Sequence, residues 1–312
     1  SRNVYIYYYN PVRIGTKYRY RFTRYNSSEQ LVQLPVELPA GAVEFRVYMD
    51  EAAAPRYITL PLIYPPTLTS YSCNNTLVTH LPILPPSVNL IDCTDNMIVE
   101  LGDLHPTLEY LTCSNNQLTH LPELPPNLTD LNCSKNQLTN LPILPPNLEE
   151  LHCIGNQLTH LPELPPNLRW LYCSNNPLSN LPVLPPNLTE LACSDIQLTH
   201  LPELPDLTML RCSNNQLTHI PELHYLEELQ CSNNQLTDLP EMRHLRVLRC
   251  SNNQLTNLPI LPPNLEQLHC IGNQLTYLPE LPNLEELQCS DNQLTNLPAL
   301  PPNLVELYCP NN

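Results

Sequence analysis

Thirteen cysteines, Cys73 to Cys309, recur 19 or 20 residues apart. A thiol at a fixed interval could bind metal, cross-link, attack a substrate or fill a core. Zinc sites want clustered ligands such as C-x-x-C, and no two cysteines here are closer than 19 residues. Equivalent residues on neighbouring strands of a parallel sheet stand about 4.8 Å apart, so such a chain could stack its thiols into a ladder. Their Cα–Cβ vectors would then run parallel, which is poor geometry for a disulfide. An odd number would also leave one unpaired. Free cysteine behaves as a small buried hydrophobe. The thiols are therefore expected to fill a core, with no metal and no cofactor, and in such number they fit a reducing compartment.

His80, His120, His160 and His200 each lie seven residues after a cysteine, in every second repeat. Two strand spacings separate them by about 10 Å. One ion needs its nitrogens at about 2.0–2.1 Å, so these histidines read as solvated turn residues. Glycine-rich phosphate loops and H-E-x-x-H are absent from the sequence.

The elements that would position these residues follow from the repeat. Around Cys133 stand Leu128, Leu131, Asn136 and Leu138, in the frame L-x-x-L-x-C-x-x-N-x-L, followed by proline-rich L-P-x-L-P-P-N. This is a leucine-rich-repeat signature with cysteine in a leucine position. Leu131 and Cys133 are two apart and share one face of a short strand. The ladder residues Cys113, Cys133 and Cys153 are then core. Asn116, Asn136 and Asn156 turn inward, where their amides can bond backbone groups that the bend leaves unpaired. Thr76 and Ile196 interrupt the asparagine rung, and a looser turn is expected at Ile196. The prolines forbid a helix interior and favour extended polyproline II. Where a repeat shrinks to 19 residues, as in "LPDL" before Leu207 and "LPNL" before Leu284, the loss lies in this outer segment.

The chain has 312 residues, 37 of them proline, and a net charge of −16. Residues 1–66 hold eight of the 14 Lys/Arg and five of the 30 Asp/Glu, a net of +3, which leaves −19 for the remainder. So acidic an array is expected to be a poor nucleic-acid binder, because phosphate contacts need cations. No run of 18 apolar residues is present, so no transmembrane helix is expected.

The run "L-x-x-L-x-C-S-x-N-Q-L-T-x-L-P-x-L-P-P-N-L" resembles the short, bacterial type of leucine-rich repeat. Such repeats occur in effectors that pathogens secrete into host cells, including YopM-like scaffolds and IpaH-like ubiquitin ligases. The resemblance covers residues 60 to 312. Cysteine departs from the aliphatic residue common at that position in those effectors. The ligase branch uses a cysteine in a C-x-D motif on a separate helical domain. C-x-D occurs here at Cys93, Cys193 and Cys289, but each lies in the ladder with no base beside it, and no such domain is present. The chain is expected not to be an enzyme.

In residues 1–66, "NVYIYYYNPV", "KYRYRFTRY" and "AVEFRVYMD" read as three strands. Tyr18, Tyr20 and Phe22 would face one way, and Lys17, Arg19 and Arg21 the other. Val43, Phe45, Val47 and Met49 would share a face. The loop "NPVRIGTK", with Gly15, would join the first two strands. This region is expected to cap the first repeat, and its basic, tyrosine-rich surface could also meet phosphate, membrane or an acidic partner.

Binding has the stronger case. Residues one and three before each cysteine point away from the core, and these columns vary while the frame does not. They supply the candidate protein-binding residues Tyr110, His152, Trp170, Tyr172, Arg211, Arg249 and Tyr308. Tryptophan, tyrosine and arginine are enriched at interface hot spots, which makes Trp170, Tyr172, Arg211 and Arg249 the favoured patch. One caution is duplication: residues 141–165 and 258–282 differ at two positions, so His152 and His269 agree through copying.

The expected molecule is a leucine-rich-repeat solenoid, or horseshoe. Residues 1–66 form a β-rich cap or small domain, and residues 67–312 carry about 13 repeats. The sheet is parallel and concave, the convex side polyproline-like, and helix nearly absent. The chain stops mid-repeat at "LYCPNN", as a trimmed end or an array without its C-terminal cap would. The implied function is a non-catalytic protein-interaction scaffold, secreted by a bacterium and acting on a host protein in the host cytoplasm. Alternatives are the substrate-recognition part of a larger ligase and a surface adhesin. The bacterial cytoplasm and cell surface stay open as locations.

Overall fold

The computed structural model describes residues 3–9, 17–23, 31–33, 42, 44–49, 57–59, 63–204 and 206–312. Side chains are described at 42, at 44–47, and from 63 onward apart from 205. The chain forms two compact units, Ser1–Gln157 and Leu158–Asn312.

The first unit contains β1 (Asn3–Tyr9), β2 (Lys17–Thr23), β3 (Leu31–Gln33), β4 (Glu44–Met49) and β5 (Tyr57–Thr59). The repeat strands follow as β6 (Ser70–Asn74), β7 (Leu90–Asp92), β8 (Tyr110–Thr112), β9 (Asp130–Asn132) and β10 (Glu150–His152). The second unit contains only repeat strands: β11 (Trp170–Tyr172), β12 (Glu190–Ala192), β13 (Met209–Arg211), β14 (Glu228–Gln230), β15 (Val247–Arg249), β16 (Gln267–His269), β17 (Glu286–Gln288) and β18 (Glu306–Tyr308). Within each unit the repeat strands pair in parallel and in register, as in Leu131↔Leu151 and Leu210↔Leu229. Helix is absent among the described residues. Each unit is thus a leucine-rich-repeat solenoid.

The frame leucines make the core. Leu128, Leu131 and Leu138 are all but sealed from solvent, and burying such a side chain contributes about 1.5–3 kcal/mol. Cys133 is as deeply buried. Its N–H leaves the strand pattern to donate to the His152 carbonyl of the next repeat at 2.8 Å.

Two residues past each of the 13 cysteines the backbone turns left-handed, with φ between 53° and 66°. Asn, Asp and Gly tolerate this region best, and they fill the position everywhere except Lys135. At Gly272 an added Cβ would also run into the Asn252 side chain.

The asparagine rung then closes the bend. Asn136 Nδ2 donates to the carbonyls of Cys113 and Cys133, both at 3.0 Å, and its Oδ1 accepts the Leu118 N–H at 3.0 Å. Asn116 and Asn156 make the equivalent bonds. The turn at Ile196 does not simply loosen. The apolar side chain is fully buried, and Gln197 adopts a second left-handed φ of 64°. Thr76 provokes the same response at Leu77, φ 58°. There the threonine hydroxyl still lies 2.8 Å from the Cys73 carbonyl. Ile196 has no such group.

The outer segments form neither helix nor strand. Their prolines lack N–H groups, so the asparagine after Pro-Pro does the stitching. Asn127 Nδ2 donates to the Pro106 carbonyl at 3.1 Å and Asn147 Nδ2 to Pro126 at 3.2 Å, one repeat back. A tight turn follows, closed by the Leu148 N–H on the Pro145 carbonyl at 3.1 Å.

At the start of the chain, β1 pairs antiparallel with β2 and β4, and β4 pairs parallel with β6. β4 thereby covers the edge of the first repeat strand. Phe45 and Val47 are fully buried there, and Phe45 packs with Tyr64 and Tyr71 at centroid separations of 5.9 and 5.4 Å. β3 and β5 form a separate two-stranded parallel sheet that the sequence reading lacks. The side chains of Met49, of Lys17, Arg19 and Arg21 and of Tyr18, Tyr20 and Phe22 lie outside the described ones, as do Val43 and the loop around Gly15.

Candidate binding face

From β7 to β17 each repeat strand is three residues long and buries its middle residue, Ile91 or a leucine, so the residues on either side emerge on the solvent face of the sheet. Position alone does not expose them all. Ala192 and Met209 stand in these columns and are buried. Neither can reach past its longer neighbours.

In the first unit, Tyr110 is 42% exposed. His152 lies two strands away on β10, a separation of about 10 Å, and its Nε2 meets Glu150 of its own strand. Asp92 accepts from Asn74 Nδ2 at 2.6 Å, and Asp130 Oδ2 accepts from the Thr129 hydroxyl at 2.6 Å. Asn74, Asp92, Tyr110, Asp130, Glu150 and His152 line a groove of about 630 Å³ that also includes Arg46, which pairs with Glu44.

In the second unit, Trp170 and Tyr172 share β11. Trp170 is half-buried, and the Arg169 guanidinium lies 5.0 Å from its ring centroid. A diagonal pairing joins the two outward columns at five junctions of the second unit: the residue before the cysteine bonds the first strand residue of the next repeat. Thus the Tyr172 hydroxyl donates to Glu190, Arg211 Nε to Glu228 at 2.8 Å and Arg249 Nη2 to Gln267 at 3.1 Å. His269 Nε2 meets Glu286 at 2.7 Å, and Gln288 Nε2 donates to Glu306 at 3.0 Å. Arg249 Nε is enclosed without a partner.

Of the favoured patch, only Trp170 and Tyr172 adjoin. Arg211 is two strands from them and Arg249 four, about 10 and 20 Å, and Tyr308 lies on β18, more than half exposed. The patch is a strip along one face. Sequence reasoning missed the diagonal pairing and the Arg169–Trp170 contact. Its signal was available in the acids of the first outward column, Glu190, Glu228, Glu286 and Glu306.

The thiols are chemically quiet. Burial pushes Cys133, Cys173, Cys212 and Cys250 up to about 12 and Cys93 and Cys193 well above the usual thiol range. The aspartates of the C-x-D triplets turn outward on the left-handed residue. Asp195 and Asp291 accept from Asn214 at 3.2 Å and Asn311 at 2.9 Å. His80, His120, His160 and His200 are exposed, each ring against the preceding threonine hydroxyl. Among the described residues no cluster of three His, Cys, Asp or Glu could hold a metal ion, and no helix is long and apolar enough to cross a membrane.

The "Leucine Rich repeats (2 copies)" family model matches residues 225–263, 243–283 and 263–302, and "Leucine Rich Repeat" matches 167–191. No curated protein sequence matches the chain. Among solved structures, YopM from Yersinia enterocolitica superposes with a TM-score of 0.76 at 38% identity, over 82% of this chain and 62% of that one. YopM of Yersinia pestis, described as a leucine-rich effector protein, gives 0.63 at 34% identity, over 80% and 84%. The functional domain of InlJ from Listeria monocytogenes, described as including a cysteine ladder, gives 0.65 at 30% identity, over 76% and 61%. The chain thus spans about three fifths of the first and last of these. Its repeat frame, buried ladder and these likenesses agree: the chain belongs to the bacterial-type leucine-rich-repeat proteins.

Proposed function

We propose that this chain is a non-catalytic scaffold of a secreted bacterial effector, and that it engages a host protein in the host cytoplasm through the solvent face of its repeat sheet. The observation that carries this is the likeness to a leucine-rich effector protein at 34% identity over 84% of its length. The face fits the role, because aromatic and charged side chains vary over an unvarying buried frame. Within it, Trp170 and Tyr172 form the anchor. Arg211, Arg249 and Tyr308 continue the strip, and Tyr110 and His152 belong to the first unit's part of the surface. Division into a β-rich cap over residues 1–66 and a repeat array over 67–312 is part of the same reading. The buried free thiols suit a reducing compartment.

The test is affinity capture from host-cell lysate with quantitative mass spectrometry. Wild type is compared with the Trp170→Ala/Tyr172→Ala variant. A partner held by wild type and reduced at least tenfold on the variant supports the anchor. Equal capture by both removes it.

A further inference from the structure

The two units present unlike electrostatics on the same repeat frame. In the second, Arg211 and His269 face acids of the neighbouring repeat. In the first, Asp92 and Asp130 are held by neutral donors, the Asn74 side-chain amide, the Thr94 hydroxyl and backbone N–H, and the Thr129 hydroxyl. Among the described residues neither pairs with a lysine, arginine or histidine: Arg46 pairs with Glu44, and the His152 ring meets Glu150. Strand register places Tyr110 between them, since β8 sets Thr112 beside Asp92 and Tyr110 beside Asp130. That ring is 42% exposed. It stands in the groove of about 630 Å³, with Leu90 as an apolar neighbour.

The geometry points to this groove as the docking surface for an arginine-bearing segment of the partner protein, with one guanidinium stacked on Tyr110 between Asp92 and Asp130. The inference rests on the scaffold reading and adds the chemistry of the partner. A planar guanidinium stacks on an aromatic face and bridges carboxylates, where a lysine ammonium offers only a point charge. Carboxylates already bonded by neutral donors are positioned before the partner arrives, so little ordering is required on binding. The net charge of −19 over residues 67–312 steers cationic segments toward the sheet and repels nucleic acid.

The probe is a fluorescein-labelled peptide, Gly-Arg-Gly-Arg-Gly-Arg-Gly, titrated with the intact chain and read by anisotropy. Its lysine counterpart is run beside it. Saturable binding is expected, several-fold tighter for arginine. Asp92→Asn/Asp130→Asn should weaken it at least tenfold. Tyr110→Leu should erase the preference for arginine over lysine. Glu123→Gln/Glu163→Gln removes the same charge on the proline-rich side and should change nothing. Full-strength binding by the Asp92→Asn/Asp130→Asn variant overturns the proposal, and so does equal weakening by the proline-rich-side variant. Circular dichroism checks each fold, and Tyr110→Leu carries the test if the aspartate variant does not fold. Loss of peptide binding with capture still dependent on Trp170 and Tyr172 would sink this inference alone. The reverse would sink the anchor strip alone.

Discussion

Asn136 donates its side-chain amide to the carbonyl of Cys133 at 3.0 Å, so the polar rung and the thiol rung of one repeat are tied at the strand's end. The same amide reaches Cys113 one repeat back, and its Oδ1 takes the Leu118 N–H. All of this is buried. Leaving one such group unpaired costs about 1–3 kcal/mol. Asn136→Ala should therefore lose about 3 kcal/mol or more in urea denaturation. An unchanged midpoint would show that water replaces the amide without penalty.

Ile196 is the reverse experiment, already present in the chain. The Leu178 N–H finds no side-chain acceptor at position 196, whereas its counterpart Leu158 has Asn176 at 3.1 Å. Ile196→Asn would exchange a buried side chain of about 1.5–3 kcal/mol for three or four bonds of about 0.5–1.5 kcal/mol each. The variant should gain about 1 kcal/mol. A lower denaturation midpoint would mean that packing of Ile196 outweighs the rung.

The thiols make stability sensitive to alkali. Cys133, Cys173, Cys212 and Cys250 are raised to about 12 in the fold, against about 8.5 in an unfolded chain. A folded-state value above the unfolded one means full stability below pH 8.5 and progressive loss from there toward pH 12. Each thiol adds a slope of about 1.4 kcal/mol per pH unit. Urea midpoints from pH 7.5 to 10.5 should fall steeply above pH 9. Cys133→Val should lessen that slope by one proton, and a slope unaffected by it would contradict the assignment.

Native-state thiol labelling should divide the cysteines. Twelve are buried and Cys309 is half-exposed. With an aromatic disulfide reagent, one fast equivalent is expected, and the rest only at the rate of local opening. Three or more fast equivalents would mean that the ladder is not packed as described.

Much of this was legible in the order of residues. The spacing of Leu131, Cys133 and Leu138 announced the strand and its buried face, and Asn136 announced the bend. The left-handed residue could have been read from the Asn, Asp or Gly two places after almost every cysteine; Lys135 shows that the bend imposes it regardless. What sequence spacing could not supply was contact between repeats. Columns say which way a side chain points, but the diagonal from Arg211 to Glu228 depends on register between separate strands. The Arg169 guanidinium over the Trp170 ring is likewise a side-chain placement that spacing does not reveal. The pair β3 and β5 escaped because three-residue strands leave no alternation to detect.

His152 and His269 occupy the same place in two nearly identical stretches of chain, yet they hold different partners. His152 meets Glu150 of its own strand, whereas His269, with Gln267 in that place, meets Glu286 at 2.7 Å on the next. A copied repeat thus carries its imidazole with it, but the acid that the ring meets lies on its own strand in one copy and on the next strand in the other. The inheritable unit of this surface is the junction. Losing or gaining one repeat leaves the buried frame intact and redraws the face at the seams. The chain can therefore change what it touches without changing how it folds.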